Sequence, residues 1–217
     1  MITTPELINS LVAGAKPVHR LRPPLARASV WLLLAAAVMG LLAISHGLRP
    51  DIMLRLQQPV FVVSIAASLA TGILAAIASF IVSLPDRSRL WLLLPGPALV
   101  VWVSTIGYGC LTDWVSLQPE GIRLGEAARC FATLALTSVP LSLAMLFMLR
   151  YAALLRPTTV AAIGSLAVAA ITSTALSLFH DLDATVMVLV WNLGVAALIV
   201  ALGVALGEKT FSWVAPQ

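Results

Sequence analysis

The sequence predicts an all-α membrane protein, a bundle of six transmembrane helices with both termini on the same side of the membrane. Of its 217 residues, 60% are hydrophobic and only 10% are charged, whereas soluble domains carry about 25% charged residues. Six apolar runs are each long enough for the roughly 20 residues that a helical bilayer crossing takes. None of these runs alternates with the two-residue period of a barrel strand, so helices are favoured.

Each of the six predicted spans is bounded by charged residues, by proline or by both. The spans cover residues 28–45, 59–83, 91–111, 127–149, 158–179 and 186–206. The chain thus divides into an amino-terminal segment, 1–27, a six-helix transmembrane domain, 28–206, and a short tail, 207–217. The first apolar run is too long for the hydrophobic region of a signal peptide and five spans follow it, so an uncleaved anchor is predicted.

The orientation follows from the Lys and Arg residues near the ends of the spans. The side with both termini holds nine of the 13 basic residues: Lys16, Arg20, Arg22, Arg27, Arg87, Arg89, Arg150, Arg156 and Lys209. The opposite side holds the other four: Arg49, Arg55, Arg123 and Arg129. Because basic residues accumulate on the cytoplasmic side, both termini are predicted to be cytoplasmic.

A short helix of about two and a half turns is predicted near the amino terminus. Thr4 can cap it, Pro5 suits the first helical position and Gly14 can terminate it. Its apolar residues recur at helical spacing: Leu7, Ile8, Leu11 and Val12. Because so short a helix is unstable alone in water, it should fold on a membrane surface or in the groove of a partner.

A stiff basic stem follows this helix and leads into the first span. It combines Pro23 and Pro24 with four residues that are basic: His19, Arg20, Arg22 and Arg27. Such a stem can bind anionic lipid headgroups or the acidic rim of a partner protein, and the residues alone leave both interpretations open.

The spans lack the side chains on which transport and catalysis depend. Ion and substrate pathways need ionisable residues near the membrane midplane, and no Asp, Glu, Lys, Arg or His lies deep in a predicted span. The sequence contains no GxSxG, HExxH, CxxC or phosphate-binding loop, so no enzyme is predicted. A small transporter or channel and a membrane thiol redox protein stay open as alternatives.

Small residues and one proline characterise the later spans. The fifth span is rich in Ala, Ser, Thr and Gly, which predicts close packing against a neighbouring helix. Pro140 lies inside the fourth span and is expected to kink it. Asn192 in the sixth span is expected to form an interhelical hydrogen bond.

Metal-binding and redox-active side chains gather at the predicted outer ends of the spans: His46, Cys110, Cys130 and His180, with Asp181 beside the last. Cys110 closes the third span and Cys130 opens the fourth, so antiparallel helices bring them to similar depth. A disulfide between them would close a loop of about 20 residues and contribute on the order of 3 kcal/mol. A weak site for zinc or a related divalent cation and simple packing roles are the other interpretations.

Several pieces of the sequence, in order over nearly the whole chain, resemble the NrsF-like negative regulators of extracytoplasmic-function sigma factors. They are PVHRLRPPLARA, GLRPDI, LPDRSRLWLLLP, Cys130 with the nearby TLALTSVPLSL, ALLRP and LFHDLDATVMVLVW. RLRPP in the stem and GLRP after the first span are the most specific of these pieces.

The resemblance implies an anti-sigma factor of the bacterial inner membrane that holds its sigma factor inactive until an external stress releases it. Heavy metals and oxidants are the expected signals. Family members use periplasmic cysteines in signalling, and Cys130 falls where one of them is expected. The other is expected directly after His180, where this chain has Asp181. Either Cys110 substitutes for it or this member senses its signal differently.

The same resemblance gives a hypothesis for the individual residues. Leu7, Ile8 and Leu11 are expected to insert into a groove of the sigma factor. Arg20 and Arg22 are expected to meet acidic residues at the rim of that groove. The residues expected to sense the signal lie at the outer helix ends: Cys130, Cys110, His180 and Asp181. Membrane lipids are the other expected partners, direct nucleic-acid binding is not expected, and no cofactor is expected beyond a regulatory divalent metal.

Overall fold

The computed structural model describes residues 3–14, 22–112, 124–149, 157–179 and 201. Every regular element within these ranges is a helix, which confirms the all-α prediction for this part of the chain. The elements are α1 Thr4–Gly14, α2 Pro24–His46, α3 Ile52–Arg55, α4 Pro59–Val82, a 3₁₀ helix Arg89–Leu93, α5 Gly96–Thr112, α6 Leu124–Leu149 and α7 Pro157–Phe179.

Five of the six predicted spans coincide, to within a few residues, with α2, α4, α5, α6 and α7. Four described segments are long and apolar enough to cross a membrane: Pro24–Ser45, Pro59–Val82, Arg89–Tyr108 and Thr158–Phe179. Within α6 the apolar part, Ala135–Leu149, is shorter than these four. The predicted sixth span, 186–206, lies outside the described residues except for Ala201, which is helical.

Prolines and a glycine set several helix boundaries. Pro24 and Pro59 occupy the first turns of α2 and α4, where a residue without an N–H forfeits no hydrogen bond and its ring presets φ. α2 therefore begins at Pro24 rather than at residue 28, and Arg27 lies in its first turn. After α2, Gly47 has a φ of 73°, a left-handed conformation that favours glycine, and its N–H donates to the Ala43 carbonyl at 3.1 Å.

Two short helical pieces have no counterpart in the prediction. α3 lies in the connection between the first two spans, and the 3₁₀ helix overlaps the start of the predicted third span, so that the α-helix of this span begins only at Gly96. A single turn is too short to show a hydrophobic period, so its stability depends on local contacts. In α3 the Arg55 N–H donates to the Asp51 carbonyl at 3.0 Å. At the 3₁₀ helix the Leu90 N–H donates to Oγ of Ser88 at 3.2 Å.

The long helices alternate in direction around a central pair, α4 and α7, which make the most extensive helix–helix contact of the described chain. α5 packs against α4, α6 packs against α7, and α2 contacts α4, α6 and α7. The starts of α2 and α7 lie together with the ends of α4 and α6, and this side of the bundle is named the Arg27 end. The opposite side, with the end of α7 and the residues that follow α2, is named the Arg49 end.

Two buried clusters hold the helices together. Near the Arg27 end the largest members come from α2, α4, α6 and α7: Trp31, Phe80, Leu141, Leu149 and Val160. Nε1 of Trp31 donates to the Leu141 carbonyl at 3.1 Å, so the buried indole keeps a hydrogen-bond partner. The second cluster joins α5 to the central pair: Ala67, Trp102, Ile106, Ala169 and Ala170, with Leu99 packed against it. Pro140 lies inside α6, which continues on both sides of it.

Small residues let α4 and α7 approach closely, as the composition of the fifth span indicates. The buried face of α4 includes Ala67, Ser68, Thr71, Gly72, Ala75, Ala76 and Ser79. A Cβ atom on Gly72 would lie 2.8 Å from Cδ1 of Ile171 and 3.4 Å from the carbonyl oxygen of Ala167. Oγ of Ser68 and Oγ1 of Thr174 share a hydrogen bond of 2.9 Å across the interface. Close packing and such bonds drive helix association where lipid replaces water.

Candidate regulatory sites at the two ends of the bundle

The predicted docking helix is present as α1, with the predicted end at Gly14, but its cap differs from the prediction. The helix begins at Thr4, so the residue before it is Thr3 and the assignment of the cap to Thr4 is wrong. The Thr3 N–H donates to Oε2 of Glu6 at 2.9 Å, which is the half of a capping box in which a carboxylate satisfies the first free N–H. This hydrogen bond lowers the pKa of the Glu6 carboxyl. Thr3 and Glu6 have the S/T-x-x-E spacing, a signal that the sequence contains.

α1 takes no part in the extensive helix–helix contacts of the described chain. Its Asn9 and Val12 are exposed, and 69% of Val12 is accessible to solvent. The predicted docking residues Leu7, Ile8 and Leu11 occupy positions that an α-helix brings to one face. Their side chains lie outside the described residues, so their contact with a partner stays a prediction.

Arg27 is buried, with 7% of its surface exposed, whereas Arg22 in the same basic stem is exposed, and His19 and Arg20 lie outside the described residues. Nη2 of Arg27 donates to the carbonyl oxygen of Met148, one of the last carbonyls of α6, which have no partner within their own helix. The guanidinium carbon lies 5.2 Å from the ring centroid of Phe80, near the end of α4. A helix carboxyl terminus and an aromatic face both attract a cation. Arg27 therefore joins the start of α2 to the ends of α4 and α6.

Arg49, Asp51 and Arg55 form an ion-pair cluster in the connection between α2 and α4. Nε and Nη2 of Arg49 donate to the two carboxylate oxygens of Asp51 at 2.5 and 2.8 Å, a bidentate geometry that is stronger than a single hydrogen bond. Nε of Arg55 donates to Oδ2 of Asp51 at 3.2 Å. The pKa of Asp51 is lowered to about 2, mainly by the hydrogen bonds from Arg49. The carboxylate therefore keeps its charge at neutral pH.

This cluster lies against the end of α7. The backbone N–H of Arg49 donates to the Leu178 carbonyl at 3.2 Å, and Leu178 is two residues before His180 in the sequence. The structure thus joins GLRPDI, one piece of the family resemblance, to Leu178, the residue at which the piece LFHDLDATVMVLVW begins. The sequence predicts no separate role for Arg49, which contributes there to the charge count and to the GLRPDI piece of the family resemblance. The spacing of Asp51 and Arg55 is a recognisable ion-pair signal, but the link to α7 has no local signature.

The predicted sensing and metal-binding residues belong to the same end of the bundle, as far as the structure describes them. Cys110 lies in the last turn of α5, Cys130 lies near the start of α6, and His46 ends α2. The side chains of these three residues, and the whole of His180 and Asp181, lie outside the described residues. Among the side chains that the structure describes, no three His, Cys, Asp or Glu residues are grouped to hold a metal ion. A disulfide, a metal site and a packing role therefore stay predictions.

Buried hydroxyl groups in the bundle donate largely to carbonyls of their own helix. The pairs include Thr71 to Ala67, Ser83 to Phe80, Thr137 to Thr133 and Thr174 to Ala170 at 2.7 to 3.0 Å. Such bonds satisfy a hydroxyl locally. In this part of the chain the buried Ser and Thr residues serve helix packing.

Comparison with known protein families shows that one family matches the chain over both ends of the bundle. The model of the NrsF family, described as negative regulator of sigma F, matches residues 11–213. The match begins inside α1 and extends over every described helix that follows. No curated protein and no solved structure matches the chain significantly. The resemblance inferred from the stem and the loops is thereby confirmed.

Proposed function

The chain belongs to the NrsF family, the negative regulators of sigma F, and we propose that it is an inner-membrane anti-sigma factor. It binds an extracytoplasmic-function sigma factor on the cytoplasmic side and releases it when a heavy metal or an oxidant acts on the periplasmic side. The family match over residues 11–213 is the observation that carries the proposal. No catalytic step is needed for this function, because binding alone keeps the sigma factor from RNA polymerase.

The Arg27 end is the cytoplasmic side in this proposal. The positive-inside rule supports this orientation, because nine of the 13 basic residues fall on that side of the predicted topology. Three of them, Arg22, Arg87 and Arg89, are exposed in the structure. The Arg49 end then faces the periplasm, where external chemicals arrive first.

The sigma factor binds to α1 and the basic stem. Three features support this assignment: α1 forms a capped helix, it does not pack extensively on the described bundle, and it precedes an exposed Arg22. Leu7, Ile8 and Leu11 supply an apolar anchor for a groove. Arg20 and Arg22 meet acidic residues at the rim, which raises the association rate more than the affinity.

The signal acts through Cys130 together with Cys110, His180 or Asp181. Thiols and imidazoles react with the proposed inducers, since thiolates bind soft metals, imidazoles bind cations such as zinc and copper, and thiols are oxidised. The backbone positions of Cys110 and Cys130 at one end of the bundle support a shared role. A coupling free energy of about 1 to 3 kcal/mol between this end and α1 would change the sigma affinity roughly 5- to 150-fold.

Co-purification tests the proposal. The tagged chain is expressed with the extracytoplasmic-function sigma factor encoded nearest to it, extracted in mild detergent, and the recovered sigma factor is quantified. The Leu7→Asp/Leu11→Asp double variant places two charges in the proposed groove and should lose most of the sigma factor, with sigma-dependent transcription switched on. Asn9→Asp is the matched control, because it adds a charge at an exposed position of the same helix.

Two outcomes would contradict the proposal at different levels. Equal recovery with the double variant and with Asn9→Asp, at equal membrane levels, would show that α1 is not the docking segment. If the wild-type chain recovered none of the extracytoplasmic-function sigma factors of its host, the anti-sigma proposal itself would be wrong. Transport and thiol-oxidation assays on the purified protein would then test the alternative classes.

A further inference from the structure

Two charged side chains are buried in the part of the chain that the structure describes. One lies just inside the start of α2, and the other lies just beyond its end. Arg27, in the first turn of α2, is 7% exposed, and Arg49, three residues beyond the end of α2, is 6% exposed. The other buried polar residues among those described are Ser and Thr. Because burying a guanidinium costs free energy unless its partners are well placed, such residues constrain the geometry around them.

Each of these arginines meets the carboxyl-terminal end of a different helix. Arg27 donates through its side chain to the Met148 carbonyl of α6. Arg49 donates through its backbone N–H to the Leu178 carbonyl of α7 at 3.2 Å, and its guanidinium donates two hydrogen bonds to the Asp51 carboxylate. Hydrogen bonds thus join α2 to α6 at one end of the bundle and the connection directly after α2 to α7 at the other.

Between these attachments α2 is a continuous helix of 23 residues, which at about 1.5 Å per residue spans roughly 35 Å. Its buried face, with Trp31 and Ala35, packs in the cluster shared with α4, α6 and α7. A packed helix of this kind moves as a unit by shifts of about 1 to 2 Å rather than by bending gradually. The segment before Pro24, which contains the proposed docking helix, leads directly into it.

We propose that α2 transmits conformational change between the two ends of the bundle, with the Arg49 backbone, whose side chain Asp51 holds in place, coupling it to α7 and Arg27 coupling its other end to α6. A displacement at the end of α7, beside the proposed sensing residues, moves the Arg49 connection, shifts α2, and repositions the segment before Pro24. The geometry of this coupling is independent of what binds the chain. Its consequence for sigma binding rests on the proposed function.

The test measures a distance at the Arg27 end after a substitution at the Arg49 end. Nitroxide labels are attached at Leu25→Cys in α2 and Leu90→Cys in the 3₁₀ helix, two exposed positions of the full-length chain. The background carries Cys110→Ser and Cys130→Ser, and the protein is held in lipid nanodiscs. Asp51→Asn removes the charge that holds Arg49, and pulsed electron paramagnetic resonance then compares the label distance with that of the parent.

Asp86→Asn is the matched control. Asp86 makes an exposed ion pair with Arg87 at 3.7 Å, close in sequence to one label, so it undergoes the same chemical change without the proposed coupling. We expect Asp51→Asn to shift the label distance by about 1 to 2 Å and Asp86→Asn to leave it unchanged. An unchanged distance in Asp51→Asn, with the protein folded, would overturn the proposal, and so would equal shifts in both variants.

The reciprocal experiment covers the case in which Asp51→Asn fails to fold. Coupling is mutual, so Arg27→Gln must change the distance between labels at Met53→Cys and Tyr108→Cys, two exposed positions at the Arg49 end. Arg22→Gln is its control, and no difference between Arg27→Gln and Arg22→Gln would overturn the proposal.

Sigma recovery gives a separate readout. Asp51→Asn should change the sigma affinity by at least about 5-fold, with Asp86→Asn equal to the parent. If the parent binds no sigma factor, the proposed function is wrong. The distance measurements still decide whether α2 transmits a conformational change between the two ends of the bundle.

Discussion

Arg27 lies where the basic stem meets the bundle, and its partners come from parts of the chain that are remote in sequence. Nη2 donates to the carbonyl of Met148, 121 residues further along the chain. Phe80 faces the guanidinium from α4. Charge counting places this arginine with Arg22, but the structure gives them different surroundings. Arg27 is buried among helix ends, and Arg22 is exposed to solvent.

Arg27→Ala should destabilise the bundle because it removes a charged hydrogen bond to the end of α6. Such bonds contribute about 1.5 to 3 kcal/mol, so we expect a loss of that size in the free energy of unfolding. Titration with SDS, followed by tryptophan fluorescence, measures it. Arg22→Ala is the control and should change stability by less than about 0.5 kcal/mol, as exposed sites do. Equal effects of the two substitutions would refute the role given to Arg27.

Asp51 makes stability depend on pH at the acid end. Hydrogen bonds from Arg49 lower its pKa from 3.8 to about 2. A carboxyl with a lowered pKa stabilises the folded state fully above its unfolded value and loses this contribution as the pH falls through the folded value. The stability difference between the wild type and Asp51→Asn should therefore shrink as the pH falls from about 4 to 2. Denaturation midpoints at several pH values test this, and a difference that stays constant would contradict it.

At the scale of the elements, helix positions could be predicted from the sequence and single turns could not. α4 and α7 match their predicted spans to within one residue at each end. Long apolar runs bounded by Pro, Ser or His leave little choice of where such a helix begins and ends. α3 and the 3₁₀ helix have no period to detect. The predicted cap of α1 lies one residue too late, since both Thr3 and Thr4 suit the position and only the Glu6 contact decides between them.

Gly72 tests whether α4 and α7 depend on close approach. Its missing side chain leaves room for Ile171 and the backbone of Ala167, so Gly72→Leu forces the helices apart and should cost about 1 to 3 kcal/mol or more. Gly72→Ala should cost less than Gly72→Leu but should still be destabilising, because Cδ1 and Cγ1 of the buried Ile171 would lie 2.8 and 2.9 Å from the new Cβ and would have to move. Gly40→Leu is the control, since nothing lies within 4 Å of its added Cβ. Thermal stability in detergent measures all three, and equal losses at both glycines would exclude this role.

At the scale of the whole molecule, the signal is expected to act at the Arg49 end and to change the binding of the sigma factor at the Arg27 end. Cys130→Ser should therefore lock sigma-dependent transcription in one state, high or low, when cells are exposed to a heavy metal or an oxidant. Cys110→Ser should do the same if the two thiols act together, and should leave the response intact if Cys130 acts with His180 or Asp181. A reporter gene under sigma control measures the response, and a normal induction by both inducers in Cys130→Ser would remove this cysteine from the mechanism.

The sequence by itself determined the class of protein, the approximate positions of α1 and of the five long helices, and the family. Composition, apolar run length and short motifs such as RLRPP and GLRP are local properties, so they can be recognised without knowing which helices touch. Only the tertiary structure decided that α4 and α7 form the centre, that Arg27 meets α6, and that Arg49 meets α7. These contacts join residues far apart in the chain, and a single sequence contains no local pattern that specifies such pairs.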